Sequence, residues 1–240
     1  MKAYGTDLAT IHDVAFGTFA EGAAPGVLAL LRQRGIPGGL VVDLGCGSGR
    51  WARRLADAGY DVMGVDLSAA MIDLARRRVP EGRFRTESFL DVDLPPCRAV
   101  TSLGECFSYL FDERNGRRRL DGLFRRVWRA LSPGGLFVFD VATPGRGAGP
   151  EKRCWQGADW ALLVEVSEDA RARRLTRRIT TFRRVGRLYR RDQEVHRLRL
   201  YEAPDLAAAL RRAGFRARIV RGYGQERFGQ GLVGFLARKP

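Results

Sequence analysis

Asp43 closes a short apolar run, Val41-Val42, and is followed through Leu44 by three alternate glycines in Gly45-Cys46-Gly47-Ser48-Gly49. Glycines just beyond a buried strand permit positive φ and let the backbone approach a ligand that a Cβ would hold off. A second apolar run, Asp61-Val62-Met63-Gly64-Val65, ends in Asp66 about 20 residues beyond the glycine turn, where a βαβ unit that binds nucleosides places an acid able to accept from both ribose hydroxyls. Dinucleotide sites use G-x-G-x-x-G at the opening of a helix, whereas here the third glycine comes one residue early and Arg50 and Trp51 follow. That spacing weighs against a nicotinamide ligand and for a different nucleoside at the carboxyl ends of parallel strands.

The elements that must carry these residues alternate at α/β spacing. The sequence predicts helices over Thr6–Phe19 and Val27–Arg34, a break at Ile36-Pro37-Gly38-Gly39, and helices Arg50–Ala58 and Ala69–Arg78 after the first two strands. Third and fourth strands are expected at Arg83–Glu87 and Ala99–Leu103. A helix from Arg117 to Leu131 leads through Ser132-Pro133-Gly134-Gly135 into a fifth strand closed by Asp140. Gly145 to Gly149 with Pro150 read as a break. Beyond it, Trp160–Val166, Arg174–Arg183 and Leu188–Leu200 read as extended segments of an antiparallel insertion. Pro204–Ala213 is expected as a helix ended by Gly214, with last strands at Ala217–Val220 and Leu232–Ala237. No internal repeat is visible.

On the glycine motif Val41–Gly49, the acidic loop Gly64–Ser68 and the turn and strand Leu131–Asp140, the chain resembles the class I S-adenosylmethionine-dependent methyltransferases. The likeness covers about Ala9 to Asp140 well and Tyr201 to Arg238 more loosely. The pairing of Asp66-Leu67-Ser68 with Met71 looks like the branch that modifies small molecules, natural products among them. The resemblance implies a doubly wound α/β domain with a mainly parallel seven-stranded sheet and an antiparallel β insertion after the fifth strand. One domain is expected over 1–240, with 1–36 as a helical lid and 145–201 as the insertion that caps the substrate.

The same resemblance assigns the cofactor residues. Backbone groups of Gly45, Cys46 and Gly47 pass beneath the amino acid and ribose portions of S-adenosylmethionine, Asp43 orients the turn and meets the ammonium, and Asp66 holds the ribose. Leu67 and Met71 pack against adenine, and Leu103 and Gly104 line the methionine moiety. Where the family commonly has Gly-Asp, this chain has Glu87-Ser88, so Ser88 is expected at the adenine edge with the Phe89 amide beside it; a second register puts Asp91 there.

Methyl transfer asks little of catalytic groups, because the cofactor's methyl is already activated and positioning supplies most of the rate. A base is needed only where the acceptor must first lose a proton. Three residues are candidates. Glu105 directly follows the fourth strand, as a base, a contact to an amine substrate or to the cofactor, or a capping carboxylate. His196 falls where related insertions reach the acceptor, and histidine as a residue type titrates near neutrality. His12 lies in a helix that in the family folds over the cofactor, near Tyr4, Phe16 and Phe19. Trp155, Trp160 and Tyr201 are candidates for an apolar pocket wall.

The formal charge of +15 raises a nucleic-acid partner, but the arginines are spread through the chain, and those between Arg171 and Arg191 alternate with Leu175, Ile179, Phe182, Val185 and Leu188 as in strands with one buried face. Ser102–Phe107 also lacks the Asn-Pro-Pro-Tyr type of motif found in methyltransferases of nucleic-acid amines. An RNA methyltransferase and a non-catalytic nucleoside-binding protein are the alternatives to a small-molecule enzyme; the first would bind less tightly as salt rises. Four scattered cysteines and two histidines indicate neither a disulfide scaffold nor a metal site. Without an apolar leader or a run near ~20 apolar residues, a cytoplasmic protein without a membrane partner is expected.

Overall fold

The computed structural model describes residues 3–149 and 151–240; Met1 and Lys2 of the expected lid and Pro150 of the expected break lie outside them. Two helices, α1 (Thr6–Phe16) and α2 (Thr18–Gln33), precede an alternation of β1 (Gly39–Leu44), α3 (Arg50–Asp57), β2 (Tyr60–Asp66), α4 (Ala69–Arg78), β3 (Arg83–Thr86), β4 (Cys97–Ser102), α5 (Arg117–Ala130) and β5 (Leu131–Ala142). The insertion holds β6 (Lys152–Gln156), β7 (Trp160–Asp169), β8 (Arg174–Val185) and β9 (Leu188–Arg199). The chain closes with α6 (Ala203–Arg212), β10 (Arg216–Val220), the short hairpin β11 (Gly222–Tyr223) and β12 (Glu226–Arg227), and β13 (Leu232–Arg238).

Seven strands form one sheet in the order β10-β13-β5-β4-β1-β2-β3, parallel except for β13, which runs antiparallel to both of its neighbours. Chain order reverses between β1 and β4, and an open α/β sheet leaves a crevice for a ligand at such a switch point. Helices cover both faces. Leu120, Leu123, Phe124 and Val127 recur at helical spacing on α5 and are fully buried, each contributing roughly 1.5–3 kcal/mol, while Trp51, Leu55 and Ile72 of α3 and α4 fill the other side. β6 to β9 form a separate antiparallel sheet. Its β9 is tied back to the segment after β4 by a bridge between Tyr109 and Leu198 and by the Leu110 amide donating to the Arg197 carbonyl.

The doubly wound sheet with its antiparallel insertion matches the expected fold class, and the differences are local. The break between the first two helices falls at Gly17, and α2 runs through Pro25 because Ala23, Ala24, Val27 and Leu31 bury one continuous face. β5 begins at Leu131 rather than after the Pro-Gly-Gly turn, which is absorbed as a register shift against Cys97 and Ala99, and it continues past Asp140 to Ala142. β6 is a fourth insertion strand; with only five residues, three of them exposed, it carries little apolar signal. Among the described residues no single helix is long and apolar enough to cross a membrane.

Gly26 shows how tightly α2 is seated. A Cβ there would stand 2.3 Å from the carbonyl carbon and oxygen of Tyr223, which are backbone atoms and cannot swing aside. Gly26→Ala is therefore expected to lower stability by about 1–3 kcal/mol in chemical denaturation, against the ~1 kcal/mol gain that helix propensity alone would bring; a stabilised variant would show that this contact yields.

Candidate active site

Parallel register sets the two acids. Asp43 lies level with Gly64 on β2 and Thr101 on β4, so the Thr101 hydroxyl donates to Asp43 Oδ1 at 2.7 Å and itself accepts from Trp51 Nε1 at 3.0 Å. Asp66 ends β2 and accepts the Gly47 amide on Oδ2 (2.9 Å) and the Ser68 amide on Oδ1 (2.8 Å), which locks the glycine turn to the acidic loop. Ser68 then caps α4 by accepting the Met71 amide. Gly47 and Gly104 both have positive φ (52° and 93°), and a Cβ on either would meet no atom within 4 Å. Together they leave an open cradle between the ends of β1 and β4.

Beyond β4 the chain turns sharply. Glu105 adopts φ 57°, uncommon for a residue with a Cβ, and Asp140 holds it there by accepting the Gly104 and Glu105 amides. Asp140 and Asp43 are buried, and desolvation pushes each carboxyl up to about 7. Burial also moves Asp66 up, against the pull of its amide donors.

These residues share one cavity of about 530 Å³ with the lid and the insertion. Asp43, Gly45, Cys46, Gly47, Asp66, Leu67, Met71, Phe89, Leu103 and Gly104 line one end. Tyr4, Leu8, His12, Phe16 and Phe19 reach it from the N-terminal helices, and Trp155, Leu162, Val164, Val166, Arg177, Ile179 and His196 from the inner face of the insertion. A cavity of this size suits a nucleoside with an amino-acid tail and leaves room for a second small molecule. The open cradle beside Asp66, with Leu67, Met71 and Phe89 nearby, fits the nucleoside cofactor.

Helix α1, the expected lid, is fastened at both ends. Asp13 accepts the Ser48 hydroxyl (2.6 Å) and ion-pairs with Arg50 (2.9 Å) and Arg78 (2.9 Å), which ties α1 to the glycine turn and holds the Asp13 carboxyl down at about 2. At its other end Asp7 takes both donors of Arg190 from β9 at 2.6 Å, and the Ser68 hydroxyl donates to the Tyr4 carbonyl.

His196 is buried with its ring among Tyr4, Phe111 and Tyr109, whose centroids stand 4.8, 4.7 and 5.9 Å away. Its Nε2 meets Glu194 Oε2 at 2.9 Å, while Nδ1 has no partner. The other Glu194 oxygen accepts the Gly5 amide at 2.7 Å, so the lid and the histidine share one carboxylate. Glu105 is clasped by Arg146 and Arg177, each at 2.7 Å, and these cations hold its carboxyl below the usual range against desolvation.

The geometry revises several expectations. Glu105 makes no side-chain cap to the short 3-10 turn Cys106–Ser108, and with both oxygens accepting from arginines it is a weak base. Burial, reinforced by the nearby His196, pushes His12 down to about 4; it stays neutral at physiological pH and is likewise a weak base. Ser88 does not line the cavity: its hydroxyl donates to Asp112 at 2.7 Å. Nor does Asp91, whose carboxylate takes Arg114 at 2.5 Å, so of this segment only Phe89 reaches the cavity. Trp155 lines it, Trp160 packs beside the insertion core, and Tyr201 belongs to the main core. Arg177 and Glu194 were not singled out from sequence, yet each falls on the inward alternation of its strand, Arg177 between Leu175 and Ile179 and Glu194 two before His196. A charge at an inward position is the signal that finds them. Arg146, in an irregular glycine-rich loop, gives no such signal.

A family model described as a methyltransferase domain matches residues 41–135. The dTDP-4-amino-2,3,4,6-tetradeoxy-D-glucose N,N-dimethyltransferase of Saccharopolyspora spinosa is 30% identical over 234 residues, covering 92% of this chain and 90% of its own. Two other relatives, from Bacillus subtilis and a Geobacillus strain, match over 106 and 118 residues at 30% and 33% identity, 43% and 46% of this chain; this chain spans less than half of their length, 42% and 46%. Among solved structures, a sugar N-methyltransferase of a Streptoalloteichus species superposes with a TM-score of 0.80 at 23% identity, covering 100% of this chain and 97% of the other, a likeness of fold.

Asp43 supplies a pH signature. Its folded value of about 7 lies above the ordinary carboxylate value, so the stability it allows is complete below pH ~4 and is lost as pH rises through ~7. Asp43→Asn, which still accepts from Thr101, is expected to stabilise the ligand-free protein at pH 8 by roughly 2–4 kcal/mol, with the gain shrinking to nothing near pH 4 in thermal melts. A gain independent of pH would place the strain elsewhere.

Proposed function

This chain belongs to the S-adenosylmethionine-dependent methyltransferases, and we propose that it transfers the cofactor's methyl group to an oxygen, nitrogen or carbon of a small acceptor held between the lid and the insertion. The observation that carries this reading is the single cavity in which the ends of β1, β2 and β4 face the lid and the inner face of the insertion. Its relative from Saccharopolyspora spinosa is named for dimethylating an amino sugar nitrogen, which favours nitrogen as the acceptor atom.

Asp66 would hold the ribose hydroxyls, Leu67, Met71 and Phe89 would flank adenine, and Gly45, Cys46 and Gly47 with Leu103 and Gly104 would cradle the amino-acid tail, whose ammonium Asp43 meets. S-adenosylmethionine, when bound, supplies a methyl already activated on a sulfonium. The protein's own share is then to exclude water, align the acceptor, and take up its proton where it carries one. We assign the last task to His196. Glu194 accepts the Nε2 hydrogen, which fixes the tautomer and leaves the Nδ1 lone pair for the acceptor's proton. Because the Gly5 amide docks on the same carboxylate, closing the lid and orienting the base are one event. Of the insertion arginines, Arg177 faces the cavity and pairs there with Glu105, which fits this cavity-centred reading.

Two measurements test the scheme. Asp66→Ala should weaken S-adenosylmethionine binding at least about tenfold by calorimetry, the loss expected for hydrogen bonds to a charged group; unchanged affinity would contradict the ribose site. His196→Ala should lower kcat about 10²–10⁴-fold with cofactor affinity intact, while Glu194→Gln falls between. A His196→Ala enzyme with normal kcat removes the base from the mechanism.

A further inference from the structure

Two guanidinium groups and one carboxylate meet on the cavity wall beyond the end of β4. Arg146 Nε donates to Glu105 Oε2 and Arg177 Nη2 to Glu105 Oε1, both at 2.7 Å, and the three side chains are only 28%, 19% and 7% exposed. One carboxylate neutralises one guanidinium, so this wall keeps a positive charge in excess where little water can screen it. Arg177 uses Nη1 on the Tyr109 hydroxyl at 2.9 Å. Arg146 uses Nε alone; its Nη1 and Nη2 make no hydrogen bond with any described residue, although the side chain lines the cavity. Of the other arginines there, Arg50 is committed to Asp13 and Glu21, and Arg153 donates to the Ala148 carbonyl at 3.1 Å.

The loop beneath Arg146 is built to present it. Glu168 of β7 accepts the Gly145 amide at 2.8 Å and the Gly147 amide at 2.7 Å, one on each side of Arg146. Gly231 packs so closely that a Cβ on it would come within 2.2 Å of the Arg146 nitrogen, and the Thr143 amide donates to the Gly231 carbonyl. The backbone at 146 is thus fixed from two directions.

Resting on the methyltransferase reading, we infer that the acceptor carries an oxyanion, a carboxylate or a phosphate, that docks on the terminal nitrogens of Arg146 beside Arg177 and so turns its nucleophilic atom toward the methyl group. A planar guanidinium gives either oxyanion two parallel N–H···O bonds, a geometry that an ammonium cannot match. Glu105 acts here as the counter-ion that keeps two arginines side by side.

The experiment is calorimetric titration of the full-length protein, saturated with S-adenosylhomocysteine, with inorganic phosphate and with malonate, in the wild type, Arg146→Met and Arg146→Lys. The expected result is millimolar binding of one probe, weakened about tenfold or more in Arg146→Met and less in Arg146→Lys, with S-adenosylhomocysteine affinity unchanged as the check on folding. Preference for phosphate or malonate names the oxyanion. Binding of neither probe, or equal binding in all three proteins, overturns the inference. It is also overturned if Arg146→Met loses affinity for S-adenosylhomocysteine but not for 5′-methylthioadenosine, because Arg146 would then serve the cofactor's own carboxylate. If the wild type does not bind S-adenosylhomocysteine at all, the methyltransferase reading fails first and takes the inference with it.

Discussion

A carboxylate taken out of water must find cations or amide hydrogens, or be protonated, and the seams of this molecule are drawn by that requirement. Glu105 joins the end of β4 to the loop after β5 and to β8 through two arginines. Asp13 joins α1 to the glycine turn and α4, and Glu194 joins β9 to the start of the lid. Lid, sheet and insertion come from widely separated parts of the chain, and these carboxylates fasten them around one cavity. Removing the carboxylate itself would leave its arginines without their counter-ion, so the contacts hold the parts in one arrangement whatever their net contribution to stability.

Carboxylates near the cofactor end are treated differently. Asp43 and Asp140 face a hydroxyl and amides rather than cations, and desolvation leaves both near 7. A ligand bearing an ammonium would supply the missing charge for Asp43. The ligand-free protein therefore holds an unmet electrostatic demand where the cofactor should lie, a common cost of a preorganised site. At Arg146 and Arg177 the imbalance has the opposite sign, two guanidiniums against the one carboxylate of Glu105.

The frame of the fold is legible in the sequence because its signals are local. Val41-Val42 before the alternate glycines, and Val62 to Val65 before Asp66, announce strands and turns within a few residues, and Leu120, Leu123, Phe124 and Val127 announce a helix by spacing alone. What is not legible depends on partners far away. Ser88 and Asp91 both look suited to an adenine edge until Asp112 and Arg114 are seen to take their polar atoms. Glu105 reads as a base or a cap until two arginines, 41 and 72 positions later, close on it. His196 could be placed on a strand but its surroundings could not, since its partner Glu194 is shared with the Gly5 amide from the far end of the chain.

In the insertion, strand alternation divides labour residue by residue. Leu162, Val164 and Val166 on β7, and Arg177 and Ile179 on β8, face the cavity, while neighbours such as Leu163, Glu165 and Arg178 face outward. The backbone ladder that holds the sheet is indifferent to which side chains occupy the inward set. Changes at every second residue of a few strands therefore reshape this wall of the cavity while leaving the ends of β1, β2 and β4 untouched, so that the scaffold is as much a platform for divergence as a fixed container.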